Sequence, residues 1–127
     1  MLIANDRWFR GINLKTGPDG SVYIADEYNH RIRRVDQEGK ISTFAGTGTA
    51  GAAGDDGAAT DAQLNFPYGV AVDGLGNVYI DDLGNNRIRK LGTSGAITTV
   101  AVTGTAGYNV DSGTGTAVAL NSPQGVA

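Results

Sequence analysis

The chain lacks cysteine, long apolar runs and any excess of basic residues. Without cysteine it can contain neither a disulfide framework nor a thiolate metal site nor a cysteine nucleophile. The formal net charge of -3 argues against a nucleic-acid partner, because phosphate binding needs concentrated Lys and Arg. No apolar stretch approaches the length of a membrane span, and residues 1–4 are too short for a signal peptide, so we expect no membrane partner.

Glycine and small apolar residues are abundant instead. There are 20 glycines among 127 residues, 40% of the residues are hydrophobic, and 18% are charged. Such a composition is typical of many short strands joined by tight turns. The sequence therefore predicts an all-β protein.

An internal repeat is the main feature of the sequence. Residues 20–26 align with residues 76–82, which lie 56 positions later, and no gap interrupts the register downstream. The same offset aligns residues 29–34 with 85–90, 47–51 with 103–107, and 64–71 with 120–127. Repeats of this length that are built of short strands indicate solenoids or propellers.

Each repeat divides into four predicted strands. In the second copy these are residues 69–73, 77–82, 87–91 and 96–101. Gly20, Gly39 and Gly95 stand where short hairpins need a positive φ. Val78 and Ile80 alternate with Tyr79, so both faces of that strand carry large apolar groups, as expected between neighbouring blades. Four antiparallel strands per repeat predict β-propeller blades.

The motifs of these strands resemble a known family. The stretches Tyr-Ile-Ala-Asp at 23–26, Asn-His-Arg-Ile-Arg at 29–33 and Pro-Tyr-Gly-Val-Ala-Val-Asp at 67–73 are similar to the NHL repeat. The Gly-Thr-Gly and Gly-Asp-Asp-Gly stretch that follows is similar to bacterial members. The resemblance covers nearly all of residues 19–127. It implies a propeller, usually six-bladed, that acts mostly as a binding platform for proteins, ligands or RNA, while some propeller relatives are lyases or hydrolases.

The resemblance divides the chain into four parts. Residues 1–10 form an N-terminal extension, 11–66 a first blade with a long inter-blade loop, 67–122 a second blade with its loop, and 123–127 a first-strand stub. The opening at residues 8–15 departs from the NHL pattern and resembles a blade opening of quinoprotein-dehydrogenase-like propellers, without any cofactor residue.

Two blades are too few to close a ring, because the apolar faces of each blade must be covered on both sides. We expect a ring completed by oligomerisation, with six blades from a homotrimer favoured. Four chains with eight blades, or a fragment of a longer array, remain open. Where two chains of such a ring meet, residues 12–15 of one chain and residues 123–127 of the other are both candidates for the same innermost strand.

Repeated charged residues are the first candidates for a site. Asp26 with Arg31, and Asp82 with Arg87, recur in both blades, and repetition favours a structural role, either capping turn amides or pairing within the blade. His30 is the single histidine and aligns with Asn86. A structural place in the turn before the third strand is favoured for it over a role as a catalytic base or metal ligand.

The remaining candidates are loop and axial positions. Asp55 and Asp56 before Gly57 do not have the spacing of a calcium loop, and a solvated turn is favoured. The Gly-rich residues 46–51 lack the Lys and the helix of a phosphate cradle. First-strand residues line the axis of a propeller, so Asp73 or Asn13, multiplied by ring symmetry, could bind an ion.

The sequence therefore predicts a non-enzymatic, self-assembling propeller that serves as a scaffold or as a binding platform for a protein or small molecule. No catalytic constellation, metal site or cofactor site is found in it. Two alternatives stay open, namely a truncated piece of a propeller enzyme and a chain whose role is assembly alone.

Overall fold

The computed structural model describes residues 13–101, which form eight strands in two sheets. The strands are four to six residues long, as expected for short apolar stretches that are separated by Gly-containing turns. The first sheet, blade 1, contains β1 (Asn13–Thr16), β2 (Val22–Asp26), β3 (Arg31–Val35) and β4 (Ile41–Ala45). The second sheet, blade 2, contains β5 (Pro67–Val72), β6 (Val78–Asp82), β7 (Arg87–Leu91) and β8 (Ile97–Ala101).

Each blade is an antiparallel sheet in which neighbouring strands follow each other in sequence. The prediction of an all-β chain with four antiparallel strands per blade is confirmed. β5 begins two residues earlier than predicted, at Pro67, which pairs with Asp82 across a register shift. The shift adds one residue to β5 and is a β-bulge, which was not predicted from the sequence.

Two kinds of turn connect the strands. The outer hairpins place Gly39 at φ 84° and Gly95 at φ 93°, conformations that favour glycine. A single turn of 3₁₀ helix joins the second and third strands of each blade, at Glu27–Asn29 and at Leu83–Asn85. Both 3₁₀ turns end in a left-handed residue.

Corresponding β-bulges interrupt the fourth strand of both blades, where Phe44 and Val100 are the extra residues. The register shifts between Ile32 and Arg33 in blade 1, and between Ile88 and Arg89 in blade 2. A bulge bends the strand and redirects the side chain beside it. The same local irregularity therefore occurs at the same place in both blades.

The segment between the blades, residues 46–66, is ordered by packing on blade 2. It contains a 3₁₀ turn at Ala59–Asp61 and forms an isolated bridge from Ala58 to Ala96. Ala59, Ala62 and Leu64 are buried in the same core as apolar side chains of both sheets. Burial of these small side chains lets the segment lie close against the sheets.

Candidate functional site

The two faces of each sheet are buried to different degrees, most clearly in blade 2. We call the face that blade 2 turns toward blade 1 its leading face, and the opposite one its trailing face. The leading face of blade 2 consists of Val78, Ile80, Asp82, Arg89, Leu91 and Ile97, all of which are buried. On the trailing face of blade 1, Tyr23, Ala25 and Ile32 belong to the same core cluster.

The leading face of blade 1 has the same kinds of residue but is more accessible. It consists of Val22, Ile24, Asp26, Arg33, Val35 and Ile41. Ile41 is 55% exposed, whereas Ile97 at the same position of blade 2 is completely buried. Likewise, Tyr79 on the trailing face of blade 2 is half-buried, while its counterpart Tyr23 is buried. Within residues 13–101, each outward face therefore lacks the cover that the inward faces have.

Blade 2 is covered partly by residues 55–65 of the inter-blade segment, which we call the cover segment. The backbone N–H of Asp56 donates to the carbonyl of Ile97 at 2.7 Å, and the N–H of Ile97 donates to the carbonyl of Gly57 at 3.1 Å. The N–H of Asn65 donates to Oδ1 of Asp82 at 2.8 Å. The cover segment is thus joined to both β8 and β6.

Arg89 is the centre of this contact, and its side chain is completely buried. Its Nη2 lies 2.7 Å and its Nε 3.1 Å from Oδ1 of Asp55. Its Nη1 donates to the carbonyl of Gln63 at 2.8 Å and to Oδ2 of Asp82 at 3.2 Å. The hydroxyl of Thr99 donates to Oδ2 of Asp55 at 2.6 Å. The guanidinium is therefore paired with two carboxylates and a carbonyl.

The carboxylate of Asp82 is also fully buried. Burial raises the pKa of Asp82 above its usual range, while hydrogen bonds from Asn85 and Asn65 and the charge of Arg89 act in the opposite direction. Without these partners a buried charge of this kind is strongly unfavourable. Arg89 and the cover segment are therefore required for Asp82 to be accommodated.

Blade 1 has the same pair, and the described residues provide no cover segment over it. Nη1 of Arg33 lies 3.5 Å from Oδ2 of Asp26, and the two side chains are 28% and 27% exposed. Nε of Arg33 is buried but has no hydrogen-bond partner in the part of the chain that the structure describes. The matching atom of Arg89 is the one that donates to Asp55.

Each of the repeated carboxylates pairs with an arginine of its own blade, and that arginine is Arg33 or Arg89. Asp26 lies opposite Arg31 in the register, but its carboxylate contacts Asn29 and Arg33. Nη1 of Arg31 donates to the hydroxyl of Thr43 at 3.3 Å. In blade 2 the corresponding Arg87 reaches Thr99, and Asp82 pairs with Arg89. The register between the second and third strands is regular, and Arg33 and Arg89 lie on the same face as the carboxylates, diagonally across from them.

His30 links blade 1 to the segment between the blades. It is left-handed, with φ 53°, and ends the 3₁₀ turn. Its Nδ1 accepts a hydrogen bond from the N–H of Phe66 at 3.1 Å, and the two rings lie 4.5 Å apart between centroids. The single histidine thus contacts the end of the inter-blade segment.

Asp73 follows β5 and is engaged locally. Its carboxylate accepts hydrogen bonds from the N–H groups of Leu75 and Asn77, the amide of Asn77 and the hydroxyl of Tyr79. These bonds, above all that from the Asn77 side chain, hold the pKa of Asp73 below its usual value. Asn13 begins β1 opposite Ala25. The axial role of either residue stays a prediction.

Asp55 differs from the expectation of a solvated turn, because it pairs with Arg89 across 34 positions of sequence. Residues 13–101 hold no group of three acidic or His side chains that could bind a metal ion. Over the same range no helix is long and apolar enough to cross a membrane. The counterparts of Asp55 and Gly57, Asp111 and Gly113, lie outside the described residues.

A cleft of about 580 Å³ opens between the blades. Tyr23, Arg34 and Phe44 line it from blade 1, and Leu75 and Leu91 from blade 2. Nη2 of Arg34 lies 3.0 Å from Oδ2 of Asp19 at its edge. Its volume is in the range of small-molecule pockets, and its lining combines aromatic surface with one ion pair.

Two family models match the chain. A Teneurin NHL domain matches residues 48–117, more than half of the chain. A domain of unknown function (DUF7133) matches residues 1–45. Residues 46 and 47, at the start of the segment that joins the blades, separate the two matches.

Curated relatives are long proteins of which the chain spans a small part. It is 40% identical over 74 residues to Protein SUPPRESSOR OF QUENCHING 1, chloroplastic, of Arabidopsis thaliana, covering 58% of this chain and 7% of the relative. It is 42% identical over 89 residues to human Teneurin-4, covering 60% and 3%. With NHL repeat-containing protein 2 of Bos taurus the identity is 38% over 72 residues, covering 55% and 10%.

Solved structures share the fold at low identity. A protein of Bacteroides thetaiotaomicron described as an auxiliary nutrient binding protein superposes with a TM-score of 0.72 at 24% identity, covering 90% of this chain and 31% of that one. A streptogramin B lyase superposes with a TM-score of 0.53 at 20% identity, covering 80% and 27%. The chain thus spans about a third of these structures or less.

Proposed function

The chain belongs to the NHL-repeat family, and on this basis we propose that it is a propeller module that closes its ring with further copies of itself and acts as a scaffold or binding platform. The observation that carries the proposal is the pair of uncovered faces. The leading face of blade 1 matches the buried leading face of blade 2 position by position. The contact between the blades of one chain is therefore a template for the contact between two chains.

A head-to-tail contact of this kind repeats until the ring closes. We favour three chains and six blades, the number usual for the family. The proposed repeating units are residues 11–66 and 67–122, with 1–10 as an extension and 123–127 as the strand stub at the seam. The extension, the second inter-blade loop and the stub lie outside the described residues.

The binding part of the proposal is supported by the cleft between the blades. It offers the rings of Tyr23 and Phe44 together with the charged groups of Arg34 and Asp19. A small molecule with an apolar body and a polar group suits this lining. The nutrient-binding neighbour is similar in fold alone, so the cleft and not the neighbour carries this step.

We assign no catalytic residue to the module. His30 accepts a backbone hydrogen bond, and the carboxylates of Asp73 and Asp82 each accept several bonds from neighbouring groups. Each of these side chains therefore has a structural task. The proposed role is one of assembly and binding.

Native mass spectrometry and light scattering of the purified chain test the assembly, and the first also reports any retained small molecule. We expect a trimer. The substitution Ile41→Arg on the leading face of blade 1 should give monomers that keep their β-sheet circular dichroism. Leu75→Arg is the matched control for assembly, because Leu75 is 81% exposed in a hairpin turn. It does not serve as a control for ligand binding, since Leu75 lines the cleft. A monodisperse monomer of the unmodified chain would overturn the proposal.

A further inference from the structure

The cleft between the blades is bordered by one cation and one anion, and the described residues add no other charged side chain to its lining. Arg34 and Asp19 supply these charges, and their side chains are 33% and 51% exposed. Arg34 forms this one ion pair, whereas the buried Arg89 forms two. The cleft therefore presents two accessible, opposite charges side by side, and its lining is neutral as a whole.

The carboxylate of Asp19 stands at a different hairpin position from its counterpart in blade 2. There Asp73 binds the start of the second strand, and Leu75 occupies the position of Asp19. Blade 1 has Gly17 at the position of Asp73. A Cβ on Gly17 would lie 2.8 Å from Cε2 of Tyr23, so a side chain here conflicts with the tyrosine ring. The exchange leaves room for that ring and brings the hairpin carboxylate to the border of the cleft.

Two further side chains of the cleft are not repeated. Arg34 lies opposite Tyr23 in the register, and Lys90 stands at the position of Arg34 in blade 2. Phe44 is the extra residue of the bulge in β4, and its ring centroid lies 4.8 Å from that of Tyr23. Val100 replaces Phe44 in blade 2. Residues that the blade itself requires are expected in both copies, so we attribute these differences to the cleft.

The side of the cleft that blade 2 contributes is apolar. Leu91 is buried there, and Leu75 borders the cleft with 81% of its surface exposed. Ala58 and Ala59 of the inter-blade segment complete this side with small side chains. An apolar group held between Leu75 and the rings of blade 1 would remove apolar surface from water, which is favourable. A ligand that fits has its charged groups toward blade 1 and its apolar part toward blade 2.

We propose that this cleft binds a free α-amino acid with an aromatic or large apolar side chain. The guanidinium of Arg34 binds its carboxylate, and the carboxylate of Asp19 binds its ammonium group. An α-amino acid carries both charges on one carbon atom, so it matches protein charges that lie 3.0 Å apart and leaves the cleft neutral. The ligand side chain packs against the rings of Tyr23 and Phe44. This inference rests on the binding part of the proposed function and names its class of ligand.

Isothermal titration calorimetry of the full chain with three related compounds tests the assignment. L-phenylalanine carries both charges, 3-phenylpropanoate lacks the ammonium group, and L-phenylalaninamide lacks the carboxylate. L-phenylalanine should bind about tenfold more tightly than either of the others, or better, because each of them loses one charge-assisted contact. The NMR signals of the backbone amides of Gly92 and Thr93, which border the cleft, should shift on binding.

Two variants assign the contacts to the charged residues. Arg34→Gln should weaken the binding of L-phenylalanine about tenfold and should not weaken that of L-phenylalaninamide, which has no carboxylate for Arg34 to bind. Asp19→Asn should likewise weaken the binding of L-phenylalanine and should not weaken that of 3-phenylpropanoate. Asparagine keeps an oxygen that can accept the N–H of Ser21, so the hairpin retains this hydrogen bond.

Lys90→Gln is the matched control for Arg34→Gln. Lys90 has the position of Arg34 on the trailing face of blade 2, where its Nζ lies 5.8 Å from the centroid of the Tyr79 ring. This variant should leave the affinities for all three compounds within about twofold, because it removes a cation that does not border the cleft. Circular dichroism of every variant checks that it is folded.

The outcomes distinguish this inference from the proposed function. If 3-phenylpropanoate or L-phenylalaninamide binds as tightly as L-phenylalanine, or if Arg34→Gln weakens all three compounds equally, the cleft binds small molecules and the amino-acid assignment is wrong. If none of the three binds, the assignment is overturned as well. The proposed platform is then judged by the copy number and the retained small molecules that native mass spectrometry reports, since the cleft lies between two blades of one chain and does not depend on the ring.

Discussion

Blade 1 and blade 2 contain nearly the same charged pair in different surroundings. Arg89 and Asp82 are fully buried, whereas Arg33 and Asp26 are each more than a quarter exposed. The strands, their register and the bulges are alike, so local sequence does not explain the difference. It arises from the cover segment, which contributes Asp55 to one blade.

This comparison shows that a blade of this chain is completed by the connection that leads to it. Asp55 is sequentially close to blade 1, yet its carboxylate neutralises an arginine of blade 2. A buried arginine needs such partners, since an isolated buried charge is strongly unfavourable. The order of blades is therefore encoded in ion pairs as well as in apolar contacts.

The largest expected effect comes from breaking the covered pair. Arg89→Ala leaves the buried Asp82 carboxylate without its cation and should lower the free energy of unfolding by about 3–5 kcal/mol. Arg34→Ala, which removes an ion pair at the surface, should cost a small fraction of that. Urea unfolding of both variants at one protein concentration measures the difference. Equal losses would mean that burial of the pair has no energetic consequence.

A smaller effect is expected from disturbing the path of the cover segment. Gly54→Ala places a methyl group 2.5 Å from Cα of Ala62 in a left-handed conformation, which should cost about 2–4 kcal/mol. Gly39 is also left-handed, with φ 84°, but has no atom within 4 Å of an added Cβ. Gly39→Ala should therefore cost about 1–2 kcal/mol. Thermal unfolding at fixed concentration compares them, and a Gly54→Ala variant as stable as Gly39→Ala would contradict the close packing of the segment.

The fold could be predicted from the sequence because the pattern of each strand occurs twice, once in each repeat. Periodicity and turn residues located all four strands of blade 2, and the added residue of β5 was missed because a bulge leaves no periodic signal. The partners of the charged residues were not predictable in the same way. Register alone places Arg31 opposite Asp26, while the side chain that reaches the carboxylate is Arg33.

The role of Asp55 depends on a contact over 34 positions, which strand periodicity does not encode. One signal for it was present. Asp55 is retained as Asp111, although the residues on either side of it, Gly54 and Asp56, are replaced in the second copy. A residue with a long-range structural contact is expected to be kept in both copies even where the loop around it differs.

The smallest expected effect on stability comes from the carboxylates in the hairpins between the first and second strands. The two blades use different residues at this place. Blade 2 uses Asp73 and blade 1 uses Asp19 to bind the start of the second strand. Hydrogen bonds hold the pKa of Asp73 below its ordinary value of 3.8. The folded chain therefore binds fewer protons here than the unfolded chain, and this stabilisation is present above pH 3.8 and is lost as the pH falls through the lower folded pKa.

The substitution Asp73→Asn removes this dependence, because an amide does not titrate in that range. We expect the variant to be less stable than the unmodified chain at neutral pH, because an amide NH2 cannot accept the hydrogen bonds that Oδ2 of Asp73 accepts from Asn77 and Tyr79. The difference in stability should narrow near pH 3. Asp61→Asn, at an exposed carboxylate of the Ala59–Asp61 turn, is the control. Urea midpoints at the two pH values measure the change. A gap that stays constant on acidification would show that the Asp73 charge does not contribute to the hairpin of blade 2.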